Sequence, residues 1–421
     1  MGKFIVQGGG KLKGEIEVMG AKNAALKILA ATILSQEECT VKNMPQIEDI
    51  TRMIDLLIDL GTKVKKTNKK EYRISTKSIN KIHLDLGLVQ KLRASVMLAG
   101  PLLARFKEVT LPHPGGCIIG QRPIDLFLDG FKTLGAKVEE NENYYRLSTK
   151  KLKGGKIVLP KISVTVTEAM MMTATLAEGE TQIKNAAMEP EIPALAEYLN
   201  KHGAKIEGAG TSAITIKGVK ELGAGDFELI PDRIETGTFV ILGLITGNQI
   251  KVTKCNPEHL ETLWLLLKKA GARFHLGKDY VITYPGGKLK GVNLITHEYP
   301  GFATDLQAPF TVLMTQAHGL SLIHETIFEG RLFYTDILNQ MGANIIMCDP
   351  HRVVINGPSM LYGRRVVSPD LRAGIALVLA ALVAEGESQI ENIYQIDRGY
   401  EKIHERLQKL GAKIKRIDGD E

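Results

Sequence analysis

Two kinds of hydrophobic pattern alternate along the chain and predict two kinds of helix. In the first kind almost every position is apolar, and a helix of that type is expected to be buried on most sides. These stretches start at Asn23, Arg93, Thr167, Glu235, Asp305 and Leu371. In the second kind the apolar residues recur on one face at helical spacing. Two examples are Ile50, Met53, Ile54 and Leu57 near the start, and Tyr400, Ile403, Leu407 and Leu410 near the end.

A short phrase of the type L-G-A-K-V follows each amphipathic helix and reveals an internal repeat. Its glycines are Gly61, Gly135, Gly203, Gly271, Gly342 and Gly411, at steps of 74, 68, 68, 71 and 69 residues. Glycine supplies the left-handed conformation that ends a helix, and the residues after it are expected to enter a strand. Six units of about 70 residues therefore fill the chain of 421 residues.

Each unit is predicted to be α/β, with an apolar inner helix, an amphipathic outer helix and short strands. Six inner helices could form two cores of three units each, with the break at residues 226–231. An open repeat array is the weaker alternative, because its helices would be half exposed. The longest apolar run, Ala373 to Ala384, is 12 residues long. It is too short to span a membrane, so it predicts a buried helix.

Composition and charge fit a globular protein and leave its partner open. The chain is 44 % hydrophobic and 24 % charged, and its net charge of +7 suits either an anionic small molecule or a nucleic acid. Only 5 % of the residues are aromatic, which gives little for stacking on bases. The four cysteines are far apart and the start of the chain lacks a signal-peptide core, so we expect reduced thiols and a cytoplasmic protein.

The loop from Pro112 to Leu126 carries the strongest candidate for chemistry. It places Cys117 among three prolines and three glycines, with Arg122 five residues later. A thiol on a glycine-rich loop beside a guanidinium is accessible and biased toward thiolate. Taken alone, a loop cysteine is more often inert than catalytic.

Polar residues at the starts of the inner helices differ between units and are the second set of candidates. Helix N-termini attract anions, and basic residues there suggest a cavity for phosphate and carboxylate groups. These candidates are Lys22, Asn23, Lys91, Arg93, Asp305, Arg331, Asp370, Arg372 and Arg398. Each has a structural alternative: a surface Lys or Arg is usually solvated, and Asp305 or Asp370 could simply cap a helix. Motifs for nucleotide cofactors and for metals are missing, so no cofactor or metal is expected.

Six motifs together resemble the enolpyruvyl transferases, and within them the enzymes that act on UDP-N-acetylglucosamine. They are G-A-K-N-A-A-L (20–26), G-G-C-I-I-G-Q-R-P-I-D-L (115–126), T-D-L-Q (304–307), I-F-E-G-R (327–331), D-L-R-A-G (370–374) and R-G-Y-E (398–401). The resemblance implies a two-domain inside-out α/β barrel with six repeats. It implies an N-terminal domain of residues 22–229 and a C-terminal domain of residues 1–21 and 230–421.

The same resemblance implies a reaction and roles. Phosphoenolpyruvate and UDP-N-acetylglucosamine would give the enolpyruvyl ether and phosphate through a tetrahedral intermediate, at the first committed step of peptidoglycan synthesis. Cys117 would be the proton donor and the target of fosfomycin, Asp305 the base, and Lys22 and Arg398 would hold phosphoenolpyruvate. The implied substrate-binding residues are Lys22, Asn23, Arg93, Arg122, Pro123, Ile124, Asp125, Leu126, Lys161, Ile162, Ser163, Val164, Asp305, Ile327, Arg331, Asp370, Arg372 and Arg398.

Three positions depart from the pattern of this family. Thr165 stands where the family has glycine, and Lys27 and Ala303 stand where it has proline. The alternatives are the sister enzyme 5-enolpyruvylshikimate-3-phosphate synthase, a basic ring around nucleic acid, and a catalytically idle paralogue. We expect neither a nucleic-acid nor a membrane partner, and the oligomeric state is not readable from the sequence.

Overall fold

The computed structural model of the chain describes residues 2–113 and 123–419. These residues form two compact units. The N-terminal unit holds residues 20–113 and 123–230, and the C-terminal unit holds residues 2–19 and 231–419. The predicted domain bounds differ from these unit bounds by at most two residues, and the domains themselves stay a prediction.

Helices of both predicted kinds are present in each unit. The N-terminal unit contains α1 (Lys22–Ala31), α2 (Glu48–Asp59), α3 (Leu86–Lys91), α4 (Ala99–Phe106), α5 (Asp125–Thr133), α6 (Val164–Ala174) and α7 (Glu191–Lys201). The C-terminal unit contains α8 (Arg233–Ile245), α9 (Glu261–Lys269), α10 (Gln307–Thr315), α11 (Thr335–Gln340), α12 (Leu371–Val383), α13 (Tyr394–Asp397) and α14 (Ile403–Lys409). Short 3-10 helices span Thr32–Leu34, Arg93–Leu98, Pro257–Leu260 and Thr304–Leu306.

The strands fall into one small sheet per repeat. Those before residue 231 are β1 (Lys3–Gln7), β2 (Gly14–Glu17), β3 (Cys39–Lys42), β4 (Lys63–Asn68), β5 (Glu71–Ser75), β6 (Glu108–Pro112), β7 (Lys137–Glu140), β8 (Tyr144–Ser148), β9 (Lys156–Val158), β10 (Glu180–Lys184), β11 (Lys205–Glu207), β12 (Ala213–Lys217) and β13 (Gly225–Glu228). Those after it are β14 (Ile250–Thr253), β15 (Phe274–Leu276), β16 (Tyr280–Thr283), β17 (Leu294–Ile295), β18 (Gly319–His324), β19 (Ile345–Asp349), β20 (Arg352–Gly357), β21 (Arg365–Val367), β22 (Glu387–Glu391) and β23 (Lys413–Ile417).

The order of these strands shows how the ends of the chain meet. The sheets of the N-terminal unit run β13-β3-β5-β4, β6-β8-β7 and β11-β12-β10-β9. Those of the C-terminal unit run β15-β16-β14-β2, β17-β18-β20-β19 and β21-β22-β1-β23. Strand β1 is antiparallel to both β22 and β23, with Phe4 opposite Ile390 and Arg416, and β2 is parallel to β14. The strands within residues 3–17 therefore complete two sheets of the C-terminal unit.

The inner helices form the two hydrophobic cores. Helices α1, α4 and α6 belong to one core, and α8, α10 and α12 belong to the other. Every residue of α12 from Leu371 to Leu382 is buried, which confirms the buried helix predicted from the apolar run. In the described residues, no helix is both long enough and apolar enough to cross a membrane.

The six repeat glycines all end a helix in the predicted way. Their φ angles are positive, between 77° and 104°. The residue after each glycine donates its backbone N–H to a carbonyl five residues earlier, as from Thr62 to Leu57 at 2.9 Å and from Ala412 to Leu407 at 3.0 Å. This is the bond of a Schellman cap. The L-G-A-K phrase recurs because the same cap recurs.

Two of the predicted inner helices do not begin where the sequence pattern begins. The stretches from Arg93 and from Asp305 start as 3-10 helix, and α4 and α10 begin only at Ala99 and Gln307. Proline explains both, because Pro101 and Pro309 each occupy the third position of their helix. A proline lacks the N–H that a helix interior needs, and it is tolerated only in the first turn.

The last outer helix is also shorter than predicted. Helix α14 begins at Ile403, and Tyr400 lies before it. Lys402 between them adopts a φ of 42°, which no continuous right-handed helix contains. Tyr400 is buried instead against a neighbouring helix, where it bonds to polar groups described below.

Replacing a cap glycine should destabilise the protein through the backbone alone. Gly203 has a φ of 104° and an added Cβ would meet nothing within 4 Å. We expect Gly203→Ala to cost ~1 kcal/mol, because a left-handed alanine is strained. Gly223 is the matched control, since its φ lies outside the positive range and an added Cβ would be 3.8 Å from the nearest atom. Gly223→Ala should stay within about 0.5 kcal/mol of wild type. Urea unfolding of both variants measures the difference, and equal losses would contradict it.

Candidate active site

Asp305 lies at the centre of the charged residues in the C-terminal unit. Its Oδ1 accepts a hydrogen bond from Arg331 Nη1 at 2.9 Å, and its Oδ2 accepts one from Arg372 Nη2 at 2.8 Å. The Asp305 side chain is 23 % exposed, whereas each arginine side chain is only 6 % exposed. The structure thus brings together three predicted site residues that are far apart in the sequence. Asp305 does not cap a helix, so that alternative is wrong.

The two guanidiniums fix the charge of this carboxylate. Burial by itself would raise the pKa of Asp305, but Arg372 and Arg331 outweigh it and hold the pKa well below its ordinary value. Burial would lower the pKa of Arg372, and Asp305 reverses that effect and raises it. Asp305 is therefore ionised near neutral pH, and the cluster keeps a net charge of +1.

Neighbouring groups hold the two arginines in place. Arg331 Nη1 also donates to the carbonyl of Thr304 at 2.7 Å. Arg372 Nη1 donates to the hydroxyl of Tyr400 at 3.3 Å, and that hydroxyl is 3.0 Å from Thr238 Oγ1. These bonds leave the arginines few alternative orientations.

Asp370 has the structural role that a helix start suggests. Its Oδ1 accepts from the backbone N–H groups of Arg372 at 2.8 Å and Ala373 at 3.0 Å, so it is the N-cap of α12. The cap fixes the first turn of α12, which carries Arg372. Asp370 acts here on the backbone that presents the arginine.

Arg398 and Ile327 lie on segments next to this cluster. Arg398 follows α13, which packs on α12, and its Nη1 donates to Gln395 Oε1 at 3.0 Å. Ile327 is half-buried, and its N–H donates to Glu325 Oε1 at 2.9 Å. The other oxygen of Glu325 accepts from Thr304 Oγ1 at 2.8 Å. Glu325 thus links the segment of Ile327 to the segment of Asp305.

In the N-terminal unit, the predicted residues start helices that pack on one another. Lys22 and Asn23 are the first two residues of α1, and Arg93 begins a 3-10 helix that contacts both α1 and α6. Lys22 Nζ lies 2.9 Å from Asp49 Oδ2 in the first turn of α2, and its side chain is 12 % exposed. Asp49 therefore orients Lys22, although Asp49 belongs to none of the six sequence motifs.

The remaining candidates of this unit flank two further helices. Ser163 caps α6, with its Oγ accepting from the N–H of Val166 at 3.4 Å, and Lys161 and Ile162 lead into it. Pro123 and Ile124 precede α5, whose first residues are Asp125 and Leu126. Cys117 and Arg122 lie outside the described residues.

Thr165, which we expect to stand at a family glycine, occupies an ordinary helical position. Thr165 is the second residue of α6, after Val164, and it is not among the residues with positive φ. A right-handed helical position accepts any residue with a β-carbon. The local backbone at Thr165 therefore does not require glycine.

Some residues that shape the site carry no sequence signal. Asp49 and Glu325 lie in ordinary charged stretches, and only their spatial partners reveal their role. Tyr400 is the exception, because it belongs to the R-G-Y-E motif and could have been named from it. Across residues 2–113 and 123–419, no group of three or more His, Cys, Asp or Glu side chains is arranged to hold a metal ion.

Comparisons with known proteins agree on one family. Residues 6–407 match the family described as EPSP synthase (3-phosphoshikimate 1-carboxyvinyltransferase). A UDP-N-acetylglucosamine 1-carboxyvinyltransferase of Bdellovibrio bacteriovorus is 46 % identical over 415 residues, which cover 99 % of this chain and 100 % of that protein. The protein of the same name from Yersinia pestis is 43 % identical over 422 residues, covering 100 % of both chains.

Solved structures show the same fold at lower sequence identity. The enolpyruvyl transferase NikO from Streptomyces tendae has a TM-score of 0.90 at 22 % identity, covering 100 % of this chain and 99 % of that one. An EPSP synthase from Acinetobacter baumannii has a TM-score of 0.76 at 17 % identity, covering 100 % of both. The predicted fold class is thereby confirmed. The chain belongs to the EPSP synthase family of enolpyruvyl transferases, in the branch whose members are named UDP-N-acetylglucosamine 1-carboxyvinyltransferase.

Proposed function

We propose that this protein transfers the enolpyruvyl group of phosphoenolpyruvate to the 3-hydroxyl of UDP-N-acetylglucosamine and releases phosphate. The observation that carries the chemistry is the Asp305 carboxylate held between two buried guanidiniums. The full-length identity of 43–46 % to enzymes named for this sugar nucleotide supports the choice of substrate. The reaction would open peptidoglycan synthesis.

The proposed reaction is an addition followed by an elimination. The 3-hydroxyl oxygen bonds to C2 of phosphoenolpyruvate, Asp305 takes the hydroxyl proton, and Cys117 gives a proton to the C3 methylene. The resulting tetrahedral intermediate then breaks its bond between C2 and the phosphate oxygen and loses a proton from C3. Cations stabilise the phosphate and carboxylate throughout. These would be Lys22, Arg122, Arg331, Arg372 and Arg398.

Asp305 needs help to act as this base. A carboxylate whose pKa is held low by two cations is a poor proton acceptor. Phosphoenolpyruvate carries anionic groups that compete with Asp305 for Arg331 and Arg372. When they engage those guanidiniums, less positive charge remains for Asp305, and its pKa rises. In this proposal the substrate itself makes the base stronger.

Recognition of the sugar nucleotide is assigned to the helix starts of the N-terminal unit and to two residues of the C-terminal unit. A helix N-terminus offers free N–H groups to a diphosphate. The assigned residues are Asn23, Arg93, Arg122, Pro123, Ile124, Asp125, Leu126, Lys161, Ile162, Ser163, Val164, Asp305 and Ile327. Asp370 supports Arg372 through the cap of α12.

The sister reaction on 3-phosphoshikimate is the second candidate, because the matching family bears that name. The solved EPSP synthase is only 17 % identical, well below the curated relatives. Phosphate release from phosphoenolpyruvate, measured with each acceptor in turn, separates the two. Release with 3-phosphoshikimate and none with UDP-N-acetylglucosamine would overturn the proposal.

A cytoplasmic location stays a prediction. Among the described cysteines, Cys39, Cys255 and Cys348 are free thiols, which suits a reducing compartment.

Loss of the Cys117 thiol should abolish turnover. We expect Cys117→Ser to release phosphate at least 100-fold more slowly, because a hydroxyl is a far weaker acid than a thiol. Cys117→Asp should remain active and become insensitive to fosfomycin, since a carboxyl can donate the proton but is not alkylated in the same way. Cys348→Ser is the matched control at an exposed cysteine and should behave as wild type. Full turnover by Cys117→Ser would remove the thiol from the acid role.

Removal of one cation from Asp305 should shift the pH dependence of the reaction. In the wild type, both guanidiniums keep Asp305 ionised well below its ordinary pKa, so its protonation should not limit kcat/KM near pH 5. In Arg372→Gln the burial effect is opposed by Arg331 alone, and the pKa of Asp305 should rise. The acidic limb of the kcat/KM profile should therefore move to higher pH.

The position of that limb is the informative quantity, because Arg372→Gln also weakens substrate binding. Lys402→Gln is the control for a change of charge near the same segment, since Lys402 is exposed and pairs with Glu405. It should leave the limb in place. If kcat/KM of Arg372→Gln is lower at every pH while its acidic limb stays at the wild-type position, Arg372 does not set the charge of Asp305.

A further inference from the structure

A buried ion pair joins two helices that carry predicted substrate-binding residues. Lys27 Nζ in α1 lies 3.3 Å from Glu168 Oε2 in α6. The Lys27 side chain is 7 % exposed and the Glu168 side chain is fully buried. Neither residue belongs to the proposed reaction.

The surroundings of this pair are unfavourable for a carboxylate. Within the described part of the chain, neither oxygen of Glu168 accepts a hydrogen bond. Burial raises the pKa of Glu168, the neighbouring Lys27 ammonium opposes that effect, and the carboxylates of Glu191 and Glu189 add to it. Both of those glutamates are themselves buried, at the start of α7, which packs on α1 and on α6. Lys27 is thus the cation paired with Glu168, and two further carboxylates act on Glu168.

A buried ion pair of this kind contributes little to the stability of the fold. Taking two charges out of water costs more than their attraction usually returns, so apolar residues of similar size would stabilise the core as well or better. A buried pair does fix geometry, because any relative shift of the two helices leaves both charges without a partner. The location of the pair shows which geometry it fixes.

The pair lies directly behind two predicted binding turns. Lys27 comes four residues after Asn23, and Glu168 comes four residues after Val164. Residues four apart lie one above the other on the same face of a helix. The ion pair therefore joins α1 and α6 one turn inside the helix starts that present Asn23 and the Ser163–Val164 turn.

We propose that Lys27 and Glu168 are positioning residues that hold the first turns of α1 and α6 in register, so that both contact the same diphosphate sugar. The inference rests on the proposed function for the identity of that ligand. The tie between the two helices does not depend on it.

Steady-state kinetics test the effect on the ligand. Lys27→Met and Glu168→Gln should each raise KM for UDP-N-acetylglucosamine by about 10-fold and change KM for phosphoenolpyruvate by less than about 2-fold. Lys27→Arg should retain the pair and stay near wild type. Lys201→Met, which removes an exposed pair with Glu197 in the same unit, is the control and should change neither constant.

A double variant separates positioning from stability. Lys27→Met/Glu168→Met buries no charge, so its unfolding temperature should return to that of wild type or above it. Its KM for the sugar nucleotide should stay raised, because apolar contacts do not fix the register. Recovery of both quantities together would overturn the proposal, and so would single variants that lose stability with an unchanged ratio of the two KM values.

Hydrogen exchange tests the tie without any substrate. In Lys27→Met, amides of residues 22–27 and 164–168 should exchange several-fold faster, while amides of α12 in the other unit should not change. A wild type that fails to use UDP-N-acetylglucosamine would refute the proposed function and leave this measurement intact. Unchanged exchange in both segments would refute the tie.

Discussion

The constraint on which the whole architecture depends is that an inner helix of this chain has no polar face. Helix α12 is buried at every position from Leu371 to Leu382, so it needs neighbours on all sides, and one repeat cannot supply them. Three repeats can, which is why α8 and α10 share its core. The inner helices also pack closely against one another. A Cβ on Gly100 would lie 2.3 Å from Thr173 Oγ1, so α4 and α6 could not pack as they do with a larger residue there. The outer helices and the sheets then cover the remaining apolar surface of the inner helices.

Within the described residues, three of these inner helices have a buried or largely buried carboxylate near their N-terminal end. Asp305 precedes α10, Glu168 lies in the second turn of α6, and Glu235 lies in the first turn of α8. Each has a buried cationic partner, which for Glu235 is Arg406 at 2.5 Å. Burying an ion costs free energy. The ions that cluster at these helix starts therefore provide local charge at the expense of stability. Helix N-termini already carry partial positive charge, and the added cations make those ends suited to phosphate and carboxylate groups.

The sequence was informative where a local rule decides the structure and uninformative where partners meet only in space. The cap at Gly203 follows from glycine chemistry alone, and the recurrence of such glycines along the sequence reveals the period of the repeat. The 3-10 start before α4 was missed because the effect of Pro101 depends on where the helix begins. Asp305 could be singled out by motif, but its two guanidinium partners lie 26 and 67 residues away and no pattern pairs them. The tie between Lys27 and Glu168 was missed for the same reason, since each lies inside an otherwise apolar helix.

The placement of β1 has a consequence for how the chain is made. This strand leaves the ribosome long before its two neighbours, β22 and β23, are synthesised. Residues 20–230 contain all the strands of their own three sheets and can assemble while synthesis continues. The strand Lys3–Gln7 has both of its edges unpaired for that whole time, and unpaired edges invite pairing with other chains. The strand is only 5 residues long and is flanked by Gly2 and Gly8. The strand edge that is exposed during synthesis is therefore short. The C-terminal unit can therefore be completed only after β23 has been synthesised, although β1 is made much earlier.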